Sequence, residues 1–340
     1  MTSISVVMPT HNVTAAILRQ AVESILTQTI RDFEFIIIDD CSTDDSNEYL
    51  QSLNDERIRL IHNPVRIGIT KSLNIGFREA KGKYIARMDS DDIALPTRFE
   101  KQLAFMETHP DVIVCGTNVE FFGLRTGTSN CRIKDMESYR IQSLFSNPGP
   151  HHPTAFFNRG LLLRHHIVYN EKLEYAQDYG LWVEISRHGK ILILDDVLLR
   201  HRIHDRQISQ VKREKQFHCD KMVKEKLLRE LLGSVTEEEL DLHFIYSSGY
   251  SREVKINDEV LNWYQRLIEA NDRTGIYDKK KFRYYVYNTV VKHIIYQSFK
   301  PDMGYTDKIK MFFRYLPIPV SLRAAAGMSA RGITGKLVRF

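Results

Sequence analysis

The chain has 340 residues, of which 43% are hydrophobic and 10% aromatic. This composition excludes intrinsic disorder, because such a chain can bury a proper core. The formal net charge of +5 is modest for this length. No run approaches the roughly 18 uninterrupted apolar residues that a membrane span needs, so no bilayer-crossing segment is predicted.

The start of the chain and its cysteines favour a cytoplasmic protein. The strand-like run from Ile4 to Met8 follows Met1 almost at once and leaves no room for a signal peptide. The four cysteines are far apart and form no C-x-x-C pair. We therefore expect reduced structural thiols rather than a zinc site made from them.

The first ninety residues alternate strands and helices at short spacing. Apolar runs predict strands at residues 4–8, 33–38, 58–61 and 84–88. Amphipathic patterns between them predict helices that end near residues 26, 53 and 82. This alternation indicates an α/β fold, with a mostly parallel central sheet flanked by helices.

Further elements are predicted beyond Pro96, and the character of the chain changes near residue 207. Helices are expected over residues 99–106, near 135–145 and from 175 to 185, and strands at 112–115, 155–157, 191–194 and 197–203. From residue 212 to about 313 the pattern is helical. The predicted organisation is an α/β domain, residues 1–210, followed by an α-helical extension with a basic tail, residues 211–340.

Polar side chains follow each of the four early strands. In a parallel sheet, functional groups gather at the carboxyl ends of the strands. Four consecutive strand ends bearing such groups are hard to obtain by chance. The residues at these ends are Thr10 and Asn12, Asp39 and Asp40, Arg66, and then Asp89 and Asp91.

The acidic loop Asp89-Ser90-Asp91-Asp92 is the centre of this pattern. Two carboxylates two residues apart in an extended chain point to the same side. Such a pair can hold a hard divalent cation bridged to phosphates. Acidic triplets are common, and the alternative is a surface turn in which Asp92 caps the next helix. The preceding strand ends favour the cation site.

An ordered set of motifs resembles the family 2 glycosyltransferases with the GT-A fold, the group that builds bacterial surface polysaccharides. The resemblance covers roughly residues 3–210. It rests on Val6-Val7-Met8-Pro9-Thr10-His11-Asn12, Ile37-Ile38-Asp39-Asp40-Cys41-Ser42-Thr43-Asp44, Asn63-Pro64-Val65-Arg66-Ile67-Gly68, Leu73-Asn74-Ile75-Gly76, Ala80 to Asp92, and Ala176-Gln177-Asp178-Tyr179-Gly180-Leu181-Trp182.

The resemblance implies a nucleotide-sugar site. Thr10 to Asn12 would line the nucleotide pocket, with His11 standing where most members have a tyrosine. Asp39 would accept hydrogen bonds from a uracil-type base, Asp40 would shape the same loop, and Arg66 would lie near the nucleotide. Asp89 and Ser90 would contact the donor. Asp91 would bind Mn²⁺ or Mg²⁺ on the diphosphate, and Asp92 would serve local structure.

Asp178 matches the position of the family's catalytic base. Its alternative role is that of an acidic residue favoured by the helix dipole at an N-terminus. Family members often have Glu-Asp here, whereas this chain has Gln177-Asp178. With one fewer nearby carboxylate, the sequence gives less reason to expect a raised pKa for Asp178.

Two groups of histidines remain. His201-Arg202-Ile203-His204 followed by Gln207-Ile208-Ser209 resembles the segment that closes over the diphosphate in this family. His204 is the preferred third metal or phosphate ligand, with a solvated loop histidine as the alternative. His151 and His152 stand where the family lines the acceptor cleft, with a structural loop role as the alternative.

These features predict a metal-dependent transferase that moves a sugar from a nucleotide-diphosphate donor, favoured as a UDP-sugar, to a saccharide or lipid-linked acceptor. The metal would neutralise charge on the leaving diphosphate, and Asp178 would deprotonate the acceptor hydroxyl. A single in-line displacement would invert the anomeric carbon. A sugar nucleotidyltransferase and a non-catalytic nucleotide-sugar-binding scaffold are the alternatives.

Other classes fit the sequence poorly. No G-x-G-x-x-G follows the first strand, which disfavours a nicotinamide dehydrogenase. The first 200 residues hold no interleaved basic and aromatic motif, so no nucleic-acid partner is expected. A processive polysaccharide synthase is disfavoured because membrane spans and a Q-x-x-R-W segment are missing.

The C-terminal tail carries the charge excess of the chain. Residues 301–340 hold seven basic and two acidic residues. With Met311-Phe312-Phe313 the tail fits a peripheral contact with anionic lipid, at the inner face of the cell membrane. The alternative is packing on the catalytic domain or on the partner in a homo-oligomer.

Overall fold

The computed structural model describes residues 3–204, 213–247 and 257–298. The chain divides into two compact units, Met1–Leu227 and Leu228–Phe340. The predicted domain boundary at residue 210, the segment Gln207-Ile208-Ser209, the helical pattern beyond residue 298 and the basic tail all lie outside the described residues.

Strands and helices alternate along the first unit. The strands are β1 (Ile4–Thr10), β2 (Phe33–Asp39), β3 (Ile58–His62), β4 (Tyr84–Arg87), β5 (Ile93–Ala94), β6 (Val112–Gly123), β7 (Gly127–Thr128), β8 (Phe156–Asn158) and β9 (Lys190–Ile203). The helices are α1 (Ala15–Leu26), α2 (Ser46–Ser52), α3 (Ile69–Glu79), α4 (Arg98–Thr108), α5 (Met136–Ser143), a 3₁₀ turn (His152–Thr154), α6 (Arg159–Arg164), α7 (Gln177–His188) and α8 (Arg213–Leu232).

The boundary between the units falls within α8, and the described part of the second unit is helical as predicted. It contains α9 (Glu237–Ser247), α10 (Asp258–Thr274) and α11 (Lys279–Ser298). None of the helices within the described ranges is long and apolar enough to span a membrane.

The strands form one sheet in the order β3-β2-β1-β4-β8-β6-β9-β5, with β7 paired to β6. Strands β1 to β4 pair in parallel, as do β6 and β9. Strand β8 lies antiparallel between β4 and β6, and β5 lies antiparallel to β9. The α/β fold class with a mostly parallel sheet is therefore confirmed.

Both faces of the sheet are buried, which explains why its first strands read as near-continuous apolar runs. Side chains alternate along each strand, so Val6 and Met8 join a core with α1 and α4, while Val7 faces the opposite way. Val7 joins a second core that includes Leu73 of α3 and Trp182 of α7. The helices on the two faces thereby hold the carboxyl ends of the strands at one edge.

The prediction of two short strands at 191–194 and 197–203 is wrong, because they form one strand, β9. The polar pair Asp195-Asp196 reads as a turn in the sequence. In the structure, β6 pairs with β9 along its whole length, with a register shift at Asn118. The Asn118 side chain lies 3.4 Å from the carbonyl oxygens of Leu194 and Asp195 and donates to both, so the irregularity is accommodated without ending the strand.

We expect Gly76→Ala to destabilise the protein. A Cβ at Gly76 would lie 2.4 Å from Val7 Cγ1 and 2.8 Å from Ile38 Cδ1, so α3 rests directly on β1 and β2. Overpacking of this kind costs about 1–3 kcal/mol, measurable as a fall in the free energy of unfolding in urea. The matched control is Gly160→Ala in α6, where the nearest atom lies at 3.4 Å. A Gly76→Ala variant as stable as the control would contradict the close packing.

Candidate active site

The ends of β1 and β2 are linked into one surface by hydrogen bonds between their loops. The Asn12 N–H donates to Ser42 Oγ at 3.0 Å, and the Thr43 N–H donates to Asn12 Oδ1 at 2.8 Å. Asn12 adopts a positive φ of 50°, a conformation that asparagine tolerates better than most residues. Thr10 is buried beside it, and its Oγ1 finds no hydrogen-bond partner among the described residues.

Asp39 ends β2 and is buried, with Oδ1 accepting from the Ser42 N–H at 3.1 Å. Its Oδ2 lies 2.6 Å from His62 Nδ1, at the end of β3. The structure therefore places Asp39 where the β1 and β2 loops meet, next to Asn12 and Thr10 as the sequence predicted from the strand ends.

Asp40 organises the loop that carries Arg66. Its carboxylate accepts from Asn63 Nδ2 at 3.0 Å and from the N–H groups of Ile67 and Gly68, both at 2.8 Å. With three donors bound, the buried Asp40 carboxylate holds the loop that leads into α3. Arg66 itself is exposed on this loop.

The acidic loop is tied to the end of β9. Asp92 is fully buried, lies 2.9 Å from His201 Nδ1 and accepts from the Arg202 N–H at 2.8 Å. Burial raises the pKa of Asp92 well above the ordinary value. Burial alone would lower the pKa of His201, but the hydrogen bond and charge of Asp92 outweigh it and raise that pKa. Asp92 thus anchors the loop to β9 and does not cap α4.

Asp91 lies on the accessible side of the same loop. Its Oδ2 is 3.0 Å from His204 Nε2, and both side chains are partly exposed. The pairing of β5 with β9 brings these residues together, although they are far apart in the sequence. Asp91 and His204 therefore form an accessible carboxylate–imidazole pair. Ser90, between Asp89 and Asp91, is buried.

Asp89 is held by a buried arginine that the sequence analysis did not single out. The Arg87 guanidinium, only 2% exposed, binds Asp89 Oδ1, while its Nε and Nη1 find no partner among the described residues. A second buried cation, Arg98, donates to the Arg87 carbonyl oxygen at 2.7 Å. Burial and the charge of Arg87 lower the pKa of Arg98 to about 9. The signal in the sequence that could have identified Arg87 is a charged residue inside the apolar run of β4.

The residues of the acidic loop fit a divalent cation. One carboxylate oxygen from each of Asp89, Asp91 and Asp92 lies within 4.8 Å of the other two. Because Asp92 is enclosed by His201 and Arg202, and Asp89 is bound by Arg87, Asp91 is the carboxylate best placed to bind a metal. Oxygen ligands of this type suit Mg²⁺ and Mn²⁺, and the nearby imidazole of His204 suits Mn²⁺ better than Mg²⁺.

Asp178 lies in the first turn of α7, where Asn147 Nδ2 donates to its Oδ2 at 3.0 Å. Burial raises the pKa of Asp178, against the lowering effects of hydrogen bonds from the Tyr179 N–H and Asn147 and of the Arg87 charge. From the sequence alone there is less reason to expect a raised pKa for Asp178, because position 177 lacks a carboxylate. Desolvation, which the sequence does not reveal, is the cause.

His151 and His152 pack beside this region as neutral rings. His152 Nε2 shares a hydrogen bond of 2.8 Å with the Tyr169 hydroxyl, and its ring lies edge-on to Trp182. Burial and the charge of Arg87 hold the pKa of His152 well below its ordinary value. Burial and the charges of His201 and Arg125 lower the pKa of His151 to about 4.

Comparison with solved structures identifies the class of fold. S. aureus TarS 1-349 in complex with UDP-GlcNAc matches with a TM-score of 0.57 and 20% identity, over 79% of this chain and 81% of that one. Mannosyltransferase PcManGT from Pyrobaculum calidifontis, in complex with GDP-Man and Mn²⁺, matches with a TM-score of 0.52 and 15% identity, over 91% and 84%. At these identities the matches show the fold, which is GT-A as the sequence predicted.

Sequence comparison then gives the family. Residues 5–165 match the model of Glycosyl transferase family 2. An uncharacterized glycosyltransferase of Methanocaldococcus jannaschii is 34% identical over 62% of this chain and 75% of its own length. The amylovoran biosynthesis glycosyltransferase AmsE of Erwinia amylovora is 29% identical over 54% and 70%. The chain belongs to glycosyltransferase family 2, and it is a glycosyltransferase.

We expect Asp40→Asn to lower the stability of the protein. The new amide N–H would face one of the three N–H groups from which Asp40 now accepts a hydrogen bond. A buried, charge-assisted hydrogen-bond network would be broken as a result. The expected loss is about 2 kcal/mol in the free energy of unfolding, measured in urea. Glu56→Gln, at an exposed position on the same unit, is the control and should change stability little. Equal stability of the two variants would contradict the architectural role of Asp40.

Proposed function

We propose that this glycosyltransferase is metal-dependent and inverting, and that it takes a sugar from a nucleotide-diphosphate donor, preferably a UDP-sugar. The observation that carries the proposal is the placement of two acidic residues, Asp89 and Asp178, around the buried Arg87. Arg87 binds Asp89 of the acidic loop, and its charge also acts on Asp178 at the start of α7. The donor side and the base are thereby adjacent.

The donor side of the proposed site follows the strand ends. Thr10 and Asp39 offer the nucleotide buried polar groups, and Asn12 offers an exposed one beside them. Arg66 lies on the loop that Asp40 holds. Asp89 and Ser90 would face the donor, while Asp91 and His204 would hold the cation. The bound cation would neutralise negative charge on the leaving diphosphate. The UDP-GlcNAc and GDP-Man complexes of the structural neighbours support a nucleotide-sugar donor.

The acceptor side is proposed to centre on Asp178. Burial raises the pKa of Asp178, and a carboxylate with a raised pKa is a stronger base than an exposed one. The hydrogen bond from Asn147 fixes its orientation. Asp178 would then accept the proton of the acceptor hydroxyl as that oxygen attacks the anomeric carbon. The neutral His151 and His152 would line the acceptor cleft without adding charge.

The proposed acceptor is a saccharide or a lipid-linked saccharide in bacterial polysaccharide biosynthesis. AmsE, a relative whose name gives amylovoran biosynthesis as its process, supports this class. The presence at Asp178 of a carboxylate that is oriented by Asn147 and has a raised pKa supports a catalytic protein over a scaffold that only binds nucleotide sugar.

Asp178→Asn and Asp91→Ala should both abolish turnover, but for different reasons. Loss of the base in Asp178→Asn should lower kcat by about a thousandfold, with donor and Mn²⁺ still bound. Asp91→Ala should lose the metal-dependent part of donor binding. Calorimetric titration with UDP in the presence of Mn²⁺ or EDTA, alongside the turnover assay, separates the two. Near wild-type rates for Asp178→Asn would refute its assignment as base.

The product should carry the anomeric configuration opposite to that of the donor. A single displacement assisted by one base inverts the anomeric carbon, whereas retention would require a second step. The anomeric coupling constant of the product, measured by proton NMR after a panel of nucleotide sugars has identified the donor, gives the answer. A product that retains the donor's configuration would refute this mechanism, and release of pyrophosphate instead of a nucleoside diphosphate would favour a nucleotidyltransferase.

A further inference from the structure

Helix α8 packs alongside α7, the helix that carries Asp178. Lys215 Nζ lies 5.7 Å from the centre of the Tyr175 ring, which precedes α7. Further on, a Cβ at Gly180 would lie 4.0 Å from Val223 Cγ2, and Lys226 Nζ lies 3.6 Å from Glu184 Oε2. The three contacts advance along both segments in the same direction, so α7 and α8 run parallel.

This parallel packing places a second carboxyl beside Asp178. Asp178 lies between Tyr175 and Gly180, and the α8 segment between their partners Lys215 and Val223 contains Asp220. The pKa of Asp220 agrees with this placement beside Asp178. Burial raises the pKa of Asp220, the charge of Lys224 lowers it, and the charge of Asp178 raises it further. Asp220 is only partly exposed.

Lys224 supports Asp220 from one helical turn further along α8. Residues four apart in a helix lie on the same face. Lys224 is 2% exposed, and burial lowers its pKa while the charge of Asp220 raises it. A buried ammonium needs a nearby anion, so Lys224 favours the ionised form of Asp220.

We propose that Asp220 is a positioning residue of the active site. Lys224 holds Asp220 in place, and the negative charge of Asp220 strengthens Asp178 as the base. This inference rests on the proposed function of Asp178. It also gives Asp178 a neighbouring carboxyl from α8, which residue 177, a glutamine, does not supply.

The other charged and titratable groups around Asp178 act differently. The charge of Arg87 in β4 lowers the pKa of Asp178. Tyr139 of α5 and Tyr169 both have pKa values raised first by burial and also by Asp178, so they stay neutral in the working range. Asp220 is the neighbour of Asp178 in this set that titrates near neutral pH, and its ionisation makes Asp178 a stronger base because like charges disfavour each other.

The experiment is a titration of the Asp178 carboxyl by ¹³C NMR in the full chain, with Asp178→Asn used for assignment. In the wild type, the Asp178 signal should move in two steps, one for its own proton and a second at higher pH for that of Asp220. Asp220→Asn should remove the second step and keep the first. Lys224→Met should move the second step to higher pH, since the cation that favours ionised Asp220 is gone.

The pH profile of kcat/KM should follow the same pattern. As pH rises, the kcat/KM of the wild type should increase about threefold at the second step. This increase is part of the effect expected when the base, Asp178, becomes stronger by about one pKa unit. Asp220→Asn should lose that gain, and Asp220→Glu should restore it. Glu214→Gln, which removes an exposed carboxylate from the first turn of the same helix, is the matched control and should keep both steps.

Each outcome is decisive. A second step that survives in Asp220→Asn, or one that is absent from the wild type, would overturn the proposal. The NMR titration does not depend on turnover. A wild type without transferase activity whose Asp178 still titrates in two steps would therefore contradict the proposed function and leave the pairing of Asp178 with Asp220 supported.

Discussion

The buried Arg87 guanidinium is the interaction on which the site depends. A cation with 2% exposure is strongly destabilising unless an anion pairs with it, and Asp89 supplies that anion. The backbone carbonyl of the same arginine accepts from a second buried cation, Arg98, whose Nε donates to Gln102. The acidic loop is therefore held from beneath by two arginines, which offset the repulsion among its carboxylates and fix where β4 ends.

Strand β9 provides the second support of the acidic loop and distinguishes the roles of its acids. Asp92 is enclosed by His201 and the Arg202 N–H, so it holds the loop in place. Asp91, one residue earlier, remains partly exposed beside His204. Adjacent residues of the same type thus differ in function because one faces β9 and the other faces solvent. Asp39 and Asp40 are both buried but have different partners. The Asp40 carboxylate accepts three hydrogen bonds from the loop that carries Arg66, whereas Asp39 contacts Ser42 and His62.

Asp178 shows how tertiary structure sets the chemistry of a residue that the sequence already marks. Its neighbours come from β4, α5, the loop around Asn147, the segment before α7, and α8, so they are widely separated in the chain. Burial by these elements raises the pKa of Asp178, while Arg87 and the hydrogen bonds oppose the increase. The net result is a carboxylate of raised pKa, and therefore of enhanced basicity, in the proposed active site.

The sequence by itself determined the alternation of strands and helices, because strands buried on both faces must be apolar throughout and their spacing forces a parallel sheet. It also marked the polar strand ends and the acidic loop through local patterns, and Asp178 through the resemblance to the family 2 glycosyltransferases. It did not reveal that residues 190–203 form one strand, that Arg87 is buried under the acidic loop, or that Asp220 lies beside Asp178. Those features arise from pairing and packing between segments distant in the chain, and only the tertiary structure decides which distant groups become neighbours.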